Sequence, residues 1–114
     1  MAAKYALKKS KNGKFFFNLL ATNGQAILAS EMYEAKPSAL NGIESVRKNG
    51  VVEARFEKLN AKDGSPYFTL KATNGQVIGQ SEMYTTPAAR DNGIASVMKN
   101  AAEAVLDDQT TAAA

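Results

Sequence analysis

A 114-residue chain without cysteine or histidine has few groups that could do chemistry. Thiolate nucleophiles, disulfides, sulfur-bound metals, imidazole proton shuttles and the triads that depend on them are removed together. Hydroxyls, carboxylates, lysines and tyrosines remain, and the notable ones occur as a repeated set: Ser30, Glu31 and Tyr33, then Ser81, Glu82 and Tyr84. Two carboxylates brought face to face across a twofold could share a proton, with one held neutral by the charge of the other. Neither Glu31 nor Glu82 stands in the Asp-Thr-Gly type of motif that such dyads use. The plainer expectation is that the Ser and Glu residues satisfy loop or helix-start amides, while Tyr33 and Tyr84 pack over the core with hydroxyls outward. No catalytic residue, metal site or cofactor is expected, and the protein is not expected to be an enzyme.

A second candidate is a surface of aromatic and basic residues. Phe16 and Tyr67 occupy matching positions on strand-like segments, with Lys14 and Lys71 on or beside them, and aromatic side chains among cations can stack nucleic-acid bases. The formal charge is only +3, from 14 basic against 11 acidic residues, and no RRM-type or KH-type motif is present. A protein or peptide partner is the favoured expectation and nucleic acid the alternative. The candidate binding residues are Phe16, Tyr67, Lys71, Glu31, Tyr33, Glu82 and Tyr84.

The most conspicuous repeated string is ATNGQ, at 21–25 and 72–76. A phosphate-binding glycine loop opens a helix and carries further glycine and lysine at fixed spacing; here Asn-Gly joins two strand-like runs. The expectation is a tight hairpin of type I′, with positive φ at both central residues.

These residues are positioned by an internal duplication. Residues 11–50 align with 62–101 at an offset of 51, with 21 of 40 positions identical. Half a chain of this size hides too little surface to be stable alone, so the two units should share a core as a pseudo-twofold pair. In each unit Phe17, Leu19 and Ala21, or Phe68, Leu70 and Ala72, form an apolar row at strand spacing. Phe16, Asn18 and Leu20, or Tyr67, Thr69 and Lys71, form the mixed row facing the other way. Strands over 4–8, 15–21 and 25–29, and over 52–59, 66–72 and 76–79, predict two three-stranded meanders. Helices are predicted over 37–49 and 87–100, with Thr86 as an N-cap before Pro87 and no equivalent cap at Ala35. The helical period runs through Asn41-Gly42 and Asn92-Gly93, so these glycines are expected to bring helix backbone close to the sheet. A last strand is predicted over 104–107.

The arrangement predicts one domain over 1–107, made of repeats 1–51 and 52–107, with a frayed tail over 108–114. No run approaches the ~20 apolar residues of a membrane span, and the opening MAAKYALKKS lacks the apolar core of a signal peptide. A cytoplasmic monomer acting as a pseudo-dimer is expected.

The order G-x-F-x-F-x-L-x-A-x-N-G-Q, S-E-x-Y, N-G-I-x-S-V-x-K-N resembles the YegP-like family of small bacterial and archaeal proteins, in its tandem-duplicated form. The match spans nearly the whole chain and recurs in both halves. The resemblance implies an α+β fold: two β3-α-β units forming a single mainly antiparallel sheet, two helices packed on it, and C-terminal strands exchanged between units. It brings no activity with it.

Overall fold

The computed structural model describes residues 3–110. Its elements run β1 Lys4–Lys9, β2 Phe15–Leu20, β3 Ala26–Ala29, α1 Lys36–Asn49, a 3-10 turn at Glu53–Arg55, β4 Phe56–Asn60, β5 Pro66–Lys71, β6 Val77–Gln80, α2 Pro87–Asn100 and β7 Val105–Asp108. The strands make one sheet in the order β4-β5-β6-β3-β2-β1-β7. Each repeat contributes an antiparallel meander, and the two meanders meet where β3 pairs antiparallel with β6 at Ala29 and Gln80. Those residues are equivalents in the two repeats, so the pseudo-twofold passes between them.

The apolar row expected from alternation forms the core. Phe17, Leu19, Phe68 and Leu70 are fully buried, together with Tyr5, Leu7, Val46 and Val97. The buried helix residues are Ala39, Gly42, Ile43 and Val46 on α1, and Gly93, Ile94 and Val97 on α2. Arg90, at the position matching Ala39, keeps a side chain only 13% exposed, with its guanidinium Nε 3.4 Å from Asp91. As expected, Thr86 caps α2 by accepting the Ala89 N–H at 3.0 Å, whereas Ala35 offers α1 no side-chain bond.

Symmetry breaks where obeying it would clash. Leu28 and Gly79 are equivalents flanking the axis, and a Cβ on Gly79 would lie 2.8 Å from the Leu28 side chain. One leucine fills the space that two could not share.

Three expectations are revised. The Asn-Gly hairpins are not type I′, because among the described residues positive φ occurs only at Gly13, Gly24, Gly64 and Gly75, between 84° and 87°. In each, a type I turn ends on a left-handed glycine that forms a bulge. At ATNGQ, the Gly24 N–H bonds to Ala21 O and the Ala21 N–H to Gln25 O, both at 2.9 Å. Asn23 instead keeps ordinary φ and uses its Oδ1 to accept the Gln25 N–H at 2.9 Å, as Asn74 does for Gln76 and Asp63 for Ser65.

Next, the strand expected from Val52 starts only at Phe56, since Glu53–Arg55 coils into the 3-10 turn. Third, the exchange of C-terminal strands runs in one direction. β7 of the second repeat crosses to lie parallel to β1 of the first, but its counterpart in the first repeat, residues 54–57, is taken up by the 3-10 turn and the start of β4 itself, so it makes no reciprocal strand beside β4. At the chain end β7 includes Asp108, and the Gln109 N–H still bonds to Leu7 O at 2.9 Å. The rest of the expected frayed tail, 111–114, lies outside the described residues.

Candidate functional site

The repeated serines explain themselves locally. Ser30 Oγ accepts the Phe17 N–H at 2.9 Å and donates to Glu31 O at 2.8 Å; Ser81 does the same for Phe68 N–H and Glu82 O, at 2.9 Å each. These bonds carry the chain from β3 or β6 into its loop while keeping the β2 or β5 amide satisfied. They are scaffold contacts, made to strand amides rather than to the loop or helix-start amides expected, and among the described residues neither Glu31 nor Glu82 gives its side chain to an amide.

Tyr33 and Tyr84 are placed differently from expectation. Tyr33 stacks on Phe17 with centroids 6.3 Å apart and 7° between planes, and Tyr84 on Phe68 at 6.3 Å and 11°. The hydroxyls do not point outward: each lies against a helix glycine, and a Cβ on Gly42 or Gly93 would fall 2.8 Å from the tyrosine Cζ and closer still to its oxygen. Burial raises both phenol pKa values, and the charge of Glu31 or Glu82 raises them further. A phenol pushed that way is a poorer proton donor at neutral pH, which suits a packing role.

Glu31 and Glu82 line separate depressions. Glu31 borders a hollow of about 220 Å³ over the axis, with Ala29, Ser30, Gly79, Gln80 and Ser81. Glu82 borders one of about 210 Å³ that also contains Asn23, Gln25, Tyr84, Asn92 and Ser96. In the second, the ATNGQ hairpin of one repeat meets the helix of the other. Among the described residues no cluster of three or more acidic side chains could hold a metal ion.

The aromatic pair survives as a surface. Phe16 and Tyr67 are half-buried on the sheet face opposite Phe17 and Phe68, the face the helices leave uncovered. Sequence reasoning missed their neighbours. Tyr33 bridges Phe15 with the Tyr33 N–H bonded to Phe15 O at 2.7 Å, and the Tyr84 N–H bonds to Pro66 O at 2.8 Å. Alternation from those tyrosines puts Met32 beside Phe16 and Met83 beside Tyr67 on the helix-free face. Met32 is 56% and Met83 49% exposed, and both repeats keep methionine there. The signal was available in SEMY: an apolar letter, repeated without change, between residues whose loop roles are polar.

Three of the basic residues near this surface are engaged, while Lys8, opposite Phe16 on β1, is in no ion pair among the described residues. Lys71 pairs with Glu57 at 2.8 Å and Lys14 with Glu34 at 3.5 Å, while Lys4 pairs with Asp107 at 3.2 Å. Lysines neutralised in this way attract phosphate weakly.

A sheet of two three-stranded repeats, joined edge to edge, backed by two helices and closed by one crossed strand, defines a tandem α+β module. Residues 10–57 and 61–108 each match the domain of unknown function DUF1508. The chain belongs to that family in its tandem form. It is 54% identical to a UPF0339 protein of Pseudomonas aeruginosa over 96% of this chain and all of the relative. The UPF0339 protein YegP of Yersinia pestis is 54% identical over 93% of this chain and 95% of the relative. The solution NMR structure of a UPF0339 protein from Shewanella oneidensis matches with a TM-score of 0.90 at 53% identity, covering 96% of this chain and 93% of that one. That of YegP from E. coli, a protein of unknown function, matches at 0.91 and 48%, covering 97% and 96%.

Proposed function

We propose that the protein is a non-enzymatic interaction module that binds a protein partner through the helix-free face of its sheet. The observation that carries this reading is that both repeats leave a methionine exposed, Met32 and Met83, next to the uncovered sheet face that carries the half-buried Phe16 and Tyr67. β2 and β5 are three strand spacings apart and antiparallel, and Phe16 and Tyr67 lie two residues to opposite sides of the level of Asn18 and Thr69, so the patches sit roughly 20 Å from each other, diagonally across the axis. Methionine adapts its shape to an apolar partner, and aromatic side chains supply contact area at low entropic cost. The pairing of Lys4, Lys14 and Lys71 with carboxylates leaves Lys8 as the cation beside Phe16, too little charge to favour a phosphate backbone over an apolar protein surface. The separate settings of Glu31 and Glu82 support a binding role over carboxylate catalysis.

The test compares wild-type bait with the M32E and M83E double variant in capture from source cells, then reconstitutes any differential partner in purified form. Binding to purified wild-type and at least tenfold weaker binding to the variant upholds the reading. Retention by both baits, or failure to reconstitute, overturns it. Mixed oligonucleotides are titrated in parallel at low salt; saturable shifts on β2 and β5 with these, and none with protein, would replace the protein partner by nucleic acid.

A further inference from the structure

The two outer meander strands are equivalents, yet only one is covered. β1 carries β7 in parallel register, Lys4 opposite Val105 through Leu7 opposite Asp108. Among the described residues no strand pairs with the outer side of β4. The molecule therefore shows one mould filled and its counterpart empty.

The filled mould shows what fits. Val105 donates its N–H to Ala3 O at 3.1 Å and Gln109 to Leu7 O at 2.9 Å. The approach is fastened by Tyr5, whose hydroxyl donates to Ala101 O at 2.5 Å, and by Arg47, which donates to Ala104 O at 2.6 Å. Asp107 and Asp108 then engage Lys4 and Lys36, at 3.2 and 2.5 Å. Val105 and Leu106 themselves stay 53% and 44% exposed, whereas Ala101 and Ala104 ahead of them are buried, so the mould takes an extended segment that buries small apolar residues on its approach and sets carboxylates after them.

The empty mould keeps the shape with altered fittings. Phe56 replaces Tyr5 and Met98 replaces Arg47, and with Glu53, Ile94, Ala95 and the ion pair of Lys58 with Asp91 they line a groove of about 240 Å³ beside β4. Arg55 stands where Lys4 would be, and its buried Nε has no hydrogen-bond partner. Val51 and Val52 leave exposed apolar surface at the groove's approach. The Phe56 N–H turns back to Glu53 O, so by analogy with β1 the outward-facing groups begin at Phe56 C=O and continue through Lys58 N–H and C=O.

We propose that the β4 edge accepts an extended segment of a partner protein, parallel to β4, with the chemistry of β7: two apolar residues followed by carboxylates. Backbone pairing with Lys58 sets its direction, Phe56, Ile94 and Met98 cover the small apolar residues on its approach, and the Arg55 guanidinium meets the carboxylate at the Asp107 position. The occupant comes from another protein because this chain's own β7 is latched by Lys4, Lys36 and Arg47. This site is separate from the helix-free face, and either can fail without the other.

The probe is the capped peptide AAEAVLDDQT, the sequence of residues 101–110, titrated into the isotope-labelled full chain. Saturable amide shifts over residues 56–60, with side-chain shifts at Ile94 and Met98, are expected. The Asp-to-Asn peptide AAEAVLNNQT and the Arg55→Gln protein should each bind at least threefold more weakly. Lys58→Pro removes one outward N–H and should weaken binding at least tenfold; Met98→Glu, at the surface, provides the same readout if the proline variant does not fold. Absence of saturable shifts on β4, equal binding of the reversed-order peptide, or shifts on β1 that report displacement of the resident β7 would each overturn the proposal.

Discussion

At Gly42 and Gly93 the lack of a side chain decides where a tyrosine can lie. A methyl there would be 2.8 Å from the ring carbon of Tyr33 or Tyr84, and the ring cannot retreat because it stacks on Phe17 or Phe68. Gly42→Ala and Gly93→Ala should each destabilise by about 1 to 3 kcal/mol, despite the gain in helix propensity. Urea denaturation measures this, and pairing Gly42→Ala with Tyr33→Phe should recover part of the loss, because the hydroxyl is the nearest atom. The sequence showed that the helical period ran through these glycines and that backbone approached the sheet. It could not show that a tyrosine from the preceding loop was the object approached, since that depends on a loop path that no local periodicity encodes. The same gap produced the wrong hydroxyl direction.

The elements differ in how they are fastened, and the repeats serve as internal controls. Thr86 caps α2 while Ala35, in extended geometry, leaves α1 uncapped. Thr86→Ala should destabilise by about 0.5 to 2 kcal/mol, and Ala35→Ser should stabilise by a smaller amount of the same kind, both measurable by thermal or chemical denaturation. β7 is held by charge. Asp108 is drawn down to about 2, first by its bond with Lys36 and then by Thr110, and Asp107 is lowered by Gln109 and Lys4. A carboxylate whose folded pKa is depressed stabilises fully above its ordinary range near 4 and loses that contribution as pH falls toward the folded value. The amide signals of β7 should therefore weaken between about pH 4 and 2, ahead of the β2 and β5 core, and Asp108→Asn should remove most of that acid sensitivity. Strand and helix identities were legible because alternation and helical spacing are local properties. The 3-10 turn over Glu53–Arg55 was not legible: Val51 and Val52 look like the start of a strand, and only the missing partner beside β4 makes them stop short.

For the whole molecule, the sequence alignment made the twofold plain but left the places where it fails to the structure. Leu28 and Gly79 divide one space unequally at the axis. Leu28→Gly alone should open a cavity and destabilise by about 3 to 5 kcal/mol, and adding Gly79→Leu should restore a large part by filling the space from the other repeat. Additive losses in the double variant would show that the axis is not where β3 and β6 place it. The candidate surfaces were partly legible on the same grounds. Phe16 and Tyr67 followed from alternation, whereas the exposure of Met32 and Met83 required knowing which face the helices cover.

The one-way crossing of β7 also sets a timetable. Residues near the two ends of the chain, Lys4–Leu7 and Val105–Asp108, are sheet neighbours about a hundred positions apart. During synthesis the first repeat emerges with β1 still lacking its flanking strand, and β1 must wait until the second repeat has also left the ribosome. A nascent first repeat thus presents an unpaired edge until β7, about a hundred positions later, has been translated.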